Sequence, residues 1–193
     1  IGEAEKTITE ARAKRVALKP SDFTGVFPKL LVKEGDLVKA GSPIFFDKYR
    51  DNIVFTSPIS GVVSEIKRGA KRKLLEIRIE SDSKYASLDF GAEDPAKLNK
   101  KSVSEKLLKS GLWSLIRQRP YSVIANPENT PKAIFISGFD NGPLGPDYDF
   151  ILHGKGEAFQ TGLDALAKLT DGKVHLNLHA DLTKTKVLLN SKN

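Results

Sequence analysis

Short runs of apolar and β-branched residues alternate with turn residues through the first part of the chain. Glycine and proline within 34–36, 40–43, 57–61 and 68–70 favour tight turns, because glycine adopts positive φ and proline fixes φ. Strands so short and so closely spaced predict a small barrel or sandwich. The predicted strands are Leu30–Val32, Ile44–Phe46, Ile53–Phe55, Gly61–Val63 and Leu74–Ile79.

The second part of the chain has helical periodicity between apolar runs. A capping-box spacing at Ser102 predicts a helix that continues to Arg117 and that Gly111 weakens or splits. The order strand, helix, strand predicts a βαβ unit, with the first strand inside a parallel sheet. The predicted elements are a strand at 132–138, a helix at 157–169 and strands at 174–180 and 186–189. We therefore predict a β-domain at 1–80, a polar connection at 81–101 and an α/β domain at 102–193.

Composition narrows the class of protein. The 193 residues include no cysteine, which excludes disulfides, thiolate catalysis and cysteine-ligated metal or iron-sulfur sites. No apolar stretch approaches the ~18 residues of a membrane helix, and the charged first residues predict no signal peptide. The net charge of +7 suits nucleic acid, anionic lipid or an acidic partner. The lack of methionine and the start at Ile1 indicate a fragment.

Two glycine-bearing turns resemble those of biotinyl and lipoyl carrier domains. Val32–Ile44 and Thr56–Val63 carry the patterns Glu-Gly-Asp and Ser-Pro-x-Ser-Gly of that flattened barrel, a barrel-sandwich hybrid. Lys48 lies two residues further from the Ser-Pro turn than the lysine that carries the lipoyl group. We therefore reject Lys48 as a modified lysine and interpret Asp47 and Lys48 as a solvated hairpin.

A wider set of segments resembles one family along nearly the whole chain. The segments are Asp47–Lys48, Val54–Val63, Ile66–Arg72, Ser110–Trp113, Ile116–Ser122, Thr130–Ile136 and Glu157–Asp164. In this order they resemble the A subunit of the bacterial sodium-translocating NADH:quinone oxidoreductases. The C subunit of the ferredoxin-linked NADH complex shares the carrier-like region, but its cysteine-rich cluster motifs have no counterpart here.

The resemblance implies a peripheral subunit on the cytoplasmic face of the bacterial inner membrane. Its complex reduces ubiquinone to ubiquinol with NADH and exports sodium, while other subunits use NADH and flavins. The resemblance further implies that the second domain is Rossmann-like, similar to the flavoprotein subunit of complex I, and that it is interrupted at Asn193. This subunit would carry no covalent cofactor, would bind the membrane subunits and would contact quinone. A free-standing carrier-type or nucleic-acid-binding module remains the alternative.

Phosphate and metal sites have only weak signals. The glycines at 154 and 156 precede a helix, but the third glycine of a dinucleotide fingerprint would fall at Phe159. The glycine loop at 138–146 contains prolines without N–H donors and aspartates that repel phosphate. His175, Asn177, His179 and Asp181 would share one face of a strand and could hold zinc. We interpret them as a polar sheet face and predict no metal site.

Two groups of residues are candidates for binding. The first, a predicted docking surface for an acidic subunit or anionic lipid, has no aromatic side chain for base stacking, which disfavours nucleic acid. It contains Lys67, Arg68, Lys71, Arg72 and Lys73. In the second, Tyr121 and Arg119 suit a quinone carbonyl and ring, and Phe23 could add an apolar wall. The alternative for Tyr121 is a capped helix end with the ring packed on the core.

Overall fold

A computed structural model describes residues 5–142, 145–181 and 183–192. The strands are β1 (Arg15–Leu18), β2 (Pro28–Leu30), β3 (Leu37–Val38), β4 (Pro43–Asp47), β5 (Arg50–Thr56), β6 (Gly61–Arg68), β7 (Leu74–Ser81), β8 (Arg117–Gln118), β9 (Val123–Ile124), β10 (Ala133–Ser137) and β11 (Lys173–Asn177). The α-helices are α1 (Lys100–Lys109), α2 (Tyr148–Ile151), α3 (Gly156–Ala167) and α4 (Lys186–Leu189). Single turns of 3-10 helix form at Pro20–Asp22, Ala70–Arg72, Pro95–Lys97 and Leu112–Leu115.

The chain forms two compact units that are interleaved in sequence. The first, called the barrel unit, contains Glu10–Gly91 and Ser104–Pro127. The second, called the α/β unit, contains residues 5–9, Ala92–Val103 and the described residues from Glu128 onward. The boundaries predicted at residues 80 and 101 stay a prediction. None of the helices in the described residues has the length and hydrophobicity needed to cross a bilayer.

Two larger antiparallel sheets form the core of the barrel unit: one has the strand order β1-β7-β6-β3 and the other β2-β4-β5. The antiparallel pair β8 and β9 also belongs to this unit. Buried side chains alternate in β5, because successive residues of a strand face opposite sides of the sheet. In β4 the consecutive residues Ile44 and Phe45 are both buried, at a point where the register with β5 shifts. The buried apolar residues are Val38, Ile44, Phe45, Ile53, Phe55, Val63, Leu74, Ile77 and Ile79. The strands predicted at 44–46, 53–55, 61–63 and 74–79 are therefore confirmed, whereas β2 begins and ends two residues before its prediction.

The segment after α1 completes the barrel unit. Gly111 takes a left-handed φ of 80° and separates α1 from the 3-10 turn, which confirms the predicted split. Trp113 is buried and its Nε1 donates to the Ala125 carbonyl at 2.9 Å. The predicted capping box at Ser102 is wrong. The helix begins two residues earlier, and the Asn99 side chain accepts from the Ser102 N–H at 2.9 Å.

A parallel pair of strands is the centre of the α/β unit. β10 and β11 lie in register, with Ile134 beside Val174, and α3 connects them as predicted. However, β10 is not enclosed on both faces, because the Phe135 side chain is 69% exposed. The strand predicted at 186–189 is wrong: these residues form α4, whose first turn is capped by Thr185 and whose Leu188 is buried.

Candidate functional site

The predicted docking surface lies at the end of the β6–β7 hairpin. We call Lys67, Arg68, Lys71, Arg72 and Lys73 the basic tip. All five residues are exposed. Lys71 and Arg72 both take left-handed φ values, 53° and 59°, which reverse the chain sharply. The Gly69 N–H donates to the Lys73 carbonyl at 2.8 Å, and Arg68 Nη1 donates to the Arg72 carbonyl at 3.3 Å. Hydrogen bonds therefore define the backbone of this turn.

The acidic residues nearest to the basic tip along the two strands are already paired. Glu65 and Glu76 both form ion pairs with Arg78, the latter at 2.9 Å. The hydrogen bond from Arg78 lowers the pKa of the Glu76 carboxyl, and the charge of Lys67 lowers it further. Within the described residues, no member of the basic tip forms an ion pair. The tip therefore presents five positive charges without internal neutralisation.

The polar-aromatic group predicted to contact quinone lies on a second hairpin. Arg119 and Tyr121 occupy the turn between β8 and β9, and both are exposed. The Tyr121 side chain is 83% exposed, so the alternative of a ring packed on the core is wrong. The phenol and the guanidinium are therefore accessible to a ligand or to another protein.

Phe23, the third residue of that group, packs against aromatic side chains of the core. Its ring lies 4.5 Å from the Phe55 ring and 6.5 Å from the Phe45 ring, between centroids, so it extends the aromatic cluster of the core. Across the residues that the structure describes, no hydrogen bond or ring contact joins Phe23 to Arg119 or Tyr121. A wall for a quinone ring would have to come from the part of Phe23 that remains half-exposed.

Lys48 lies in the two-residue turn between β4 and β5, where it is exposed. Its Nζ lies 5.7 Å from the centre of the Tyr49 ring. Tyr49 in turn meets the exposed Phe27 ring edge-to-face at 5.0 Å between centroids. Lysines on aromatic faces gain modest cation–π stabilisation. Lys48 is solvated, as predicted, and so is its neighbour Tyr49.

Asp47 departs from the sequence prediction of a solvated residue, because it is 1% exposed. Its carboxylate accepts from the Phe27 N–H at 3.2 Å, the Tyr49 N–H at 3.4 Å and Arg50 Nε at 2.9 Å. Arg50 Nη1 also donates to the Ile124 carbonyl at 3.0 Å. The ion pair therefore connects the β4–β5 hairpin with β9. The spacing Asp-x-x-Arg across a two-residue turn was the available sequence signal.

Comparison with known proteins gives two family matches that follow each other along the chain. Residues 1–82 match a family model described as "NqrA N-terminal barrel-sandwich hybrid domain", and residues 98–191 match one described as "NqrA second alpha/beta domain". The A subunit of a Na(+)-translocating NADH-quinone reductase from Yersinia pseudotuberculosis is 41% identical over 178 residues, covering 91% of this chain and 40% of the relative. The chain belongs to this NqrA family.

Other relatives with the same name are equally similar. The protein from Tolumonas auensis is 40% identical over 179 residues, which cover 91% of this chain and 40% of the relative. The one from Klebsiella pneumoniae is 42% identical over 165 residues, which cover 84% and 37%. The chain therefore spans about two fifths of these relatives' length. The family match confirms the resemblance to the A subunit over the alternative C subunit, and it confirms a barrel-sandwich hybrid followed by an α/β domain.

The glycine segments of the α/β unit have local structural roles. Gly154 takes a φ of 73° in the turn before α3, and Lys155 precedes the first helical residue, Gly156. In the loop at 138–146, the Asp140 carboxylate accepts from the Gly142 N–H at 2.7 Å; residues 143 and 144 lie outside the described residues. Asp147 caps α2 and pairs with Lys6, and the Phe150 N–H lowers the pKa of its carboxyl.

The four polar residues considered for zinc do not share one strand face, because β11 ends at Asn177. The His175 ring stacks on the Phe135 ring at 4.8 Å between centroids. His179 Nδ1 instead accepts from the Asp181 N–H at 3.2 Å. Among the described residues, no group of three histidine or acidic side chains is arranged to hold a metal ion.

Proposed function

We propose that the chain is part of a peripheral subunit of a sodium-pumping NADH:ubiquinone reductase. The complex would reduce ubiquinone to ubiquinol and couple this reaction to sodium export. This subunit would assemble with the membrane subunits on the cytoplasmic face of the bacterial inner membrane, while other subunits use NADH and flavins. The observation that carries the proposal is the match of residues 1–82 and 98–191 to two family domains, together with the 41% identity over 178 residues to a relative named as the A subunit of this reductase.

Purification of the full-length protein from its own cells tests the subunit role. An affinity tag on the protein should recover flavin-bearing membrane subunits in constant proportion after mild detergent extraction. The matched control is a tag on an unrelated peripheral membrane protein, purified in the same way. Recovery of the protein without any flavin-bearing membrane subunit would contradict the proposed subunit role.

We further propose that the β8–β9 turn contacts quinone through Tyr121 and Arg119, with Phe23 as an apolar neighbour. Two features support this proposal: the exposed Tyr121 phenol can donate to a quinone carbonyl, and the Arg119 cation can add to that interaction. The chemistry is one of binding and orientation. No catalytic residue is assigned, and no cofactor would be attached covalently to the chain.

Photo-crosslinking with a quinone analogue in the whole complex tests this contact. We expect label on the segment that contains Tyr121. We also expect Tyr121→Phe to raise the KM for quinone while NADH oxidation by the other subunits, measured with an artificial electron acceptor, persists. Tyr85→Phe is the matched control, since Tyr85 is also exposed and lies under the Arg12 guanidinium at 5.0 Å. Label confined to other subunits would contradict the role of Tyr121 and Phe23.

Lys48 is proposed to stay unmodified although it lies at a hairpin tip. Nine residues, 49–57, separate it from Pro58, two more than the carrier pattern implies. Intact mass after expression with a lipoyl or biotinyl ligase should show the unmodified chain. A mass increase that disappears in Lys48→Arg would instead favour the carrier-type alternative.

The α/β unit is proposed to be the start of a Rossmann-like domain. The parallel β10–α3–β11 arrangement supports this proposal, because right-handed units of this kind are the repeating element of such domains. A structure of a full-length relative should show further parallel strands added beside β10 or β11. Antiparallel neighbours on both sides would refute it.

A further inference from the structure

We propose that the basic tip binds the anionic phospholipid headgroups of a bilayer. This inference rests on the proposed function, because a peripheral subunit on a membrane complex lies beside lipid, and it gives the predicted docking surface one partner. Residues 67–73 contain five cations and no acidic residue. These five cations compare with a net charge of +7 for the whole chain.

The geometry keeps these charges available. The turn is fixed by three backbone-directed hydrogen bonds, from Gly69 and Lys73 main-chain N–H groups and from the Arg68 side chain. The side chains of Lys67, Lys71 and Lys73 make no hydrogen bond or ion pair with the described residues. Glu65 and Glu76 share the single cation Arg78, and the Glu34 carboxylate accepts from the Ile66 N–H at 2.7 Å, so these three carboxylates reduce the positive field of the five-cation tip but do not cancel it. An anionic surface can therefore interact with the whole cluster.

The chemistry of the tip suits lipid better than nucleic acid or a protein surface. Gly69 and Ala70 are the other two residues of the segment 67–73, so the segment has no aromatic ring to stack on a base. Protein interfaces have cores rich in aromatic side chains and poor in lysine. Binding to a bilayer requires no aromatic side chain and no apolar core, because the mobile headgroups can rearrange around several lysines and arginines. Each such residue near an anionic membrane increases partitioning by about fivefold.

Vesicle sedimentation with the purified chain tests the proposal. One set of vesicles is pure phosphatidylcholine, and the other is an equal mixture of phosphatidylcholine and phosphatidylglycerol. We expect binding to the second set alone, weakening as salt is added because the interaction is screened. Replacing all five tip cations by glutamine should reduce partitioning by at least about a hundredfold. Replacing the three tip lysines by arginine should preserve it.

A matched variant controls for net charge. It replaces five exposed lysines of the barrel unit outside the tip by glutamine: Lys14, Lys29, Lys39, Lys48 and Lys84. Both variants change the net charge from +7 to +2, by subtraction of five. We expect the control to keep most of the vesicle binding. Circular dichroism and thermal unfolding of each variant establish that the fold is intact, as the exposed positions predict.

Three results would overturn the proposal. The first is no binding to either vesicle, and the second is an equal loss in the tip variant and in the matched control. The third is tighter binding to an oligonucleotide or to polyglutamate than to the anionic vesicles at the same salt concentration, which would assign the tip to nucleic acid or to an acidic protein. None of these results affects the proposed subunit role if the flavin-bearing subunits still co-purify. The vesicle experiment and the co-purification experiment therefore test the lipid contact and the subunit role separately.

Discussion

Removal of the buried carboxylate of Asp47 is expected to destabilise the barrel unit strongly. Asp47 is 1% exposed and accepts three hydrogen bonds, two of them from backbone N–H groups of Phe27 and Tyr49. Its ion-pair partner Arg50 is itself tied to the Ile124 carbonyl. Asp47→Ala therefore leaves a guanidinium and two N–H groups without their acceptor. Arg50 cannot simply turn to solvent without losing its bond to β9.

The magnitude follows from the burial of the two partners. Loss of one partner of a fully buried ion pair costs about 3–5 kcal/mol. The Arg50 side chain is 26% exposed, so water compensates part of its lost interaction. The long backbone contacts, 3.2 and 3.4 Å, add little. We therefore expect the free energy of unfolding to fall by about 3 kcal/mol for Asp47→Ala, and by about half of that for Asp47→Asn, which keeps an acceptor oxygen.

Urea unfolding followed by tryptophan fluorescence measures this effect. Trp113 is the sole tryptophan of the chain and is buried in the same unit, so its emission reports on the barrel unit. Glu80→Ala is the matched control, because it removes a carboxylate from the exposed pair with Arg15 and should cost less than about 1 kcal/mol. Equal costs for the two variants would refute the assignment of a structural role to the buried pair.

Two further perturbations test the packing and electrostatics of the fold. A Cβ at Gly61 would lie 1.8 Å from the Glu80 carbonyl oxygen, so Gly61→Ala should cost about 3 kcal/mol in urea unfolding. Gly162→Ala, in open space on α3, should be neutral or stabilising; similar losses for both would contradict the close approach. The Ser60 hydroxyl donates to the Asp82 carboxyl and lowers the pKa of that carboxyl in the folded chain. Ionised Asp82 therefore stabilises the fold at pH values above the ordinary pKa of aspartate, and this stabilisation is lost as the pH falls through the lowered pKa of the folded state. Ser60→Ala should raise that pKa in an NMR titration, and an unchanged value would refute the cause.

Local signals predicted much of the barrel unit. The strands β4 to β7 are runs of apolar and β-branched residues with turn residues on both sides, so their existence follows from sequence. β1 carries few such signals, since Arg15 is exposed, and its strand conformation depends on pairing with β7 65 residues away. β3 has two residues and depends likewise on β6. Such long-range pairing is invisible to a pattern of neighbouring residues.

The strand predicted at 186–189 is wrong because its apolar run is too short to reveal a period. Val187, Leu188 and Leu189 fit either a strand or one helical turn, because four residues do not reveal a period. The helical conformation is stabilised by the Thr185 cap and by the packing of α4 on α3. The burial of Asp47 was equally hidden, since it depends on a donor at Phe27 and on the orientation of Arg50.

The candidate binding residues show the same limit. The basic tip was found from charge alone, and its position in a hairpin follows from the glycine at 69. That its neighbouring glutamates are occupied could not be predicted, because Arg78 reaches both of them only once β6 and β7 are paired. The exposure of Tyr121 likewise depends on the β8–β9 hairpin, whose two-residue strands have no recognisable pattern.

The interleaved order of the barrel unit has a consequence for synthesis on the ribosome. Thr56 Oγ1 donates to the Ser110 carbonyl, and Arg50 donates to the Ile124 carbonyl, so β5 depends on residues made more than fifty positions later. A nascent chain that has emerged only as far as Gly91 lacks these acceptors and the buried ring of Trp113. The unit therefore completes its fold only after Pro127 has left the exit tunnel, and a fragment meant to retain the intact barrel has to extend through Pro127.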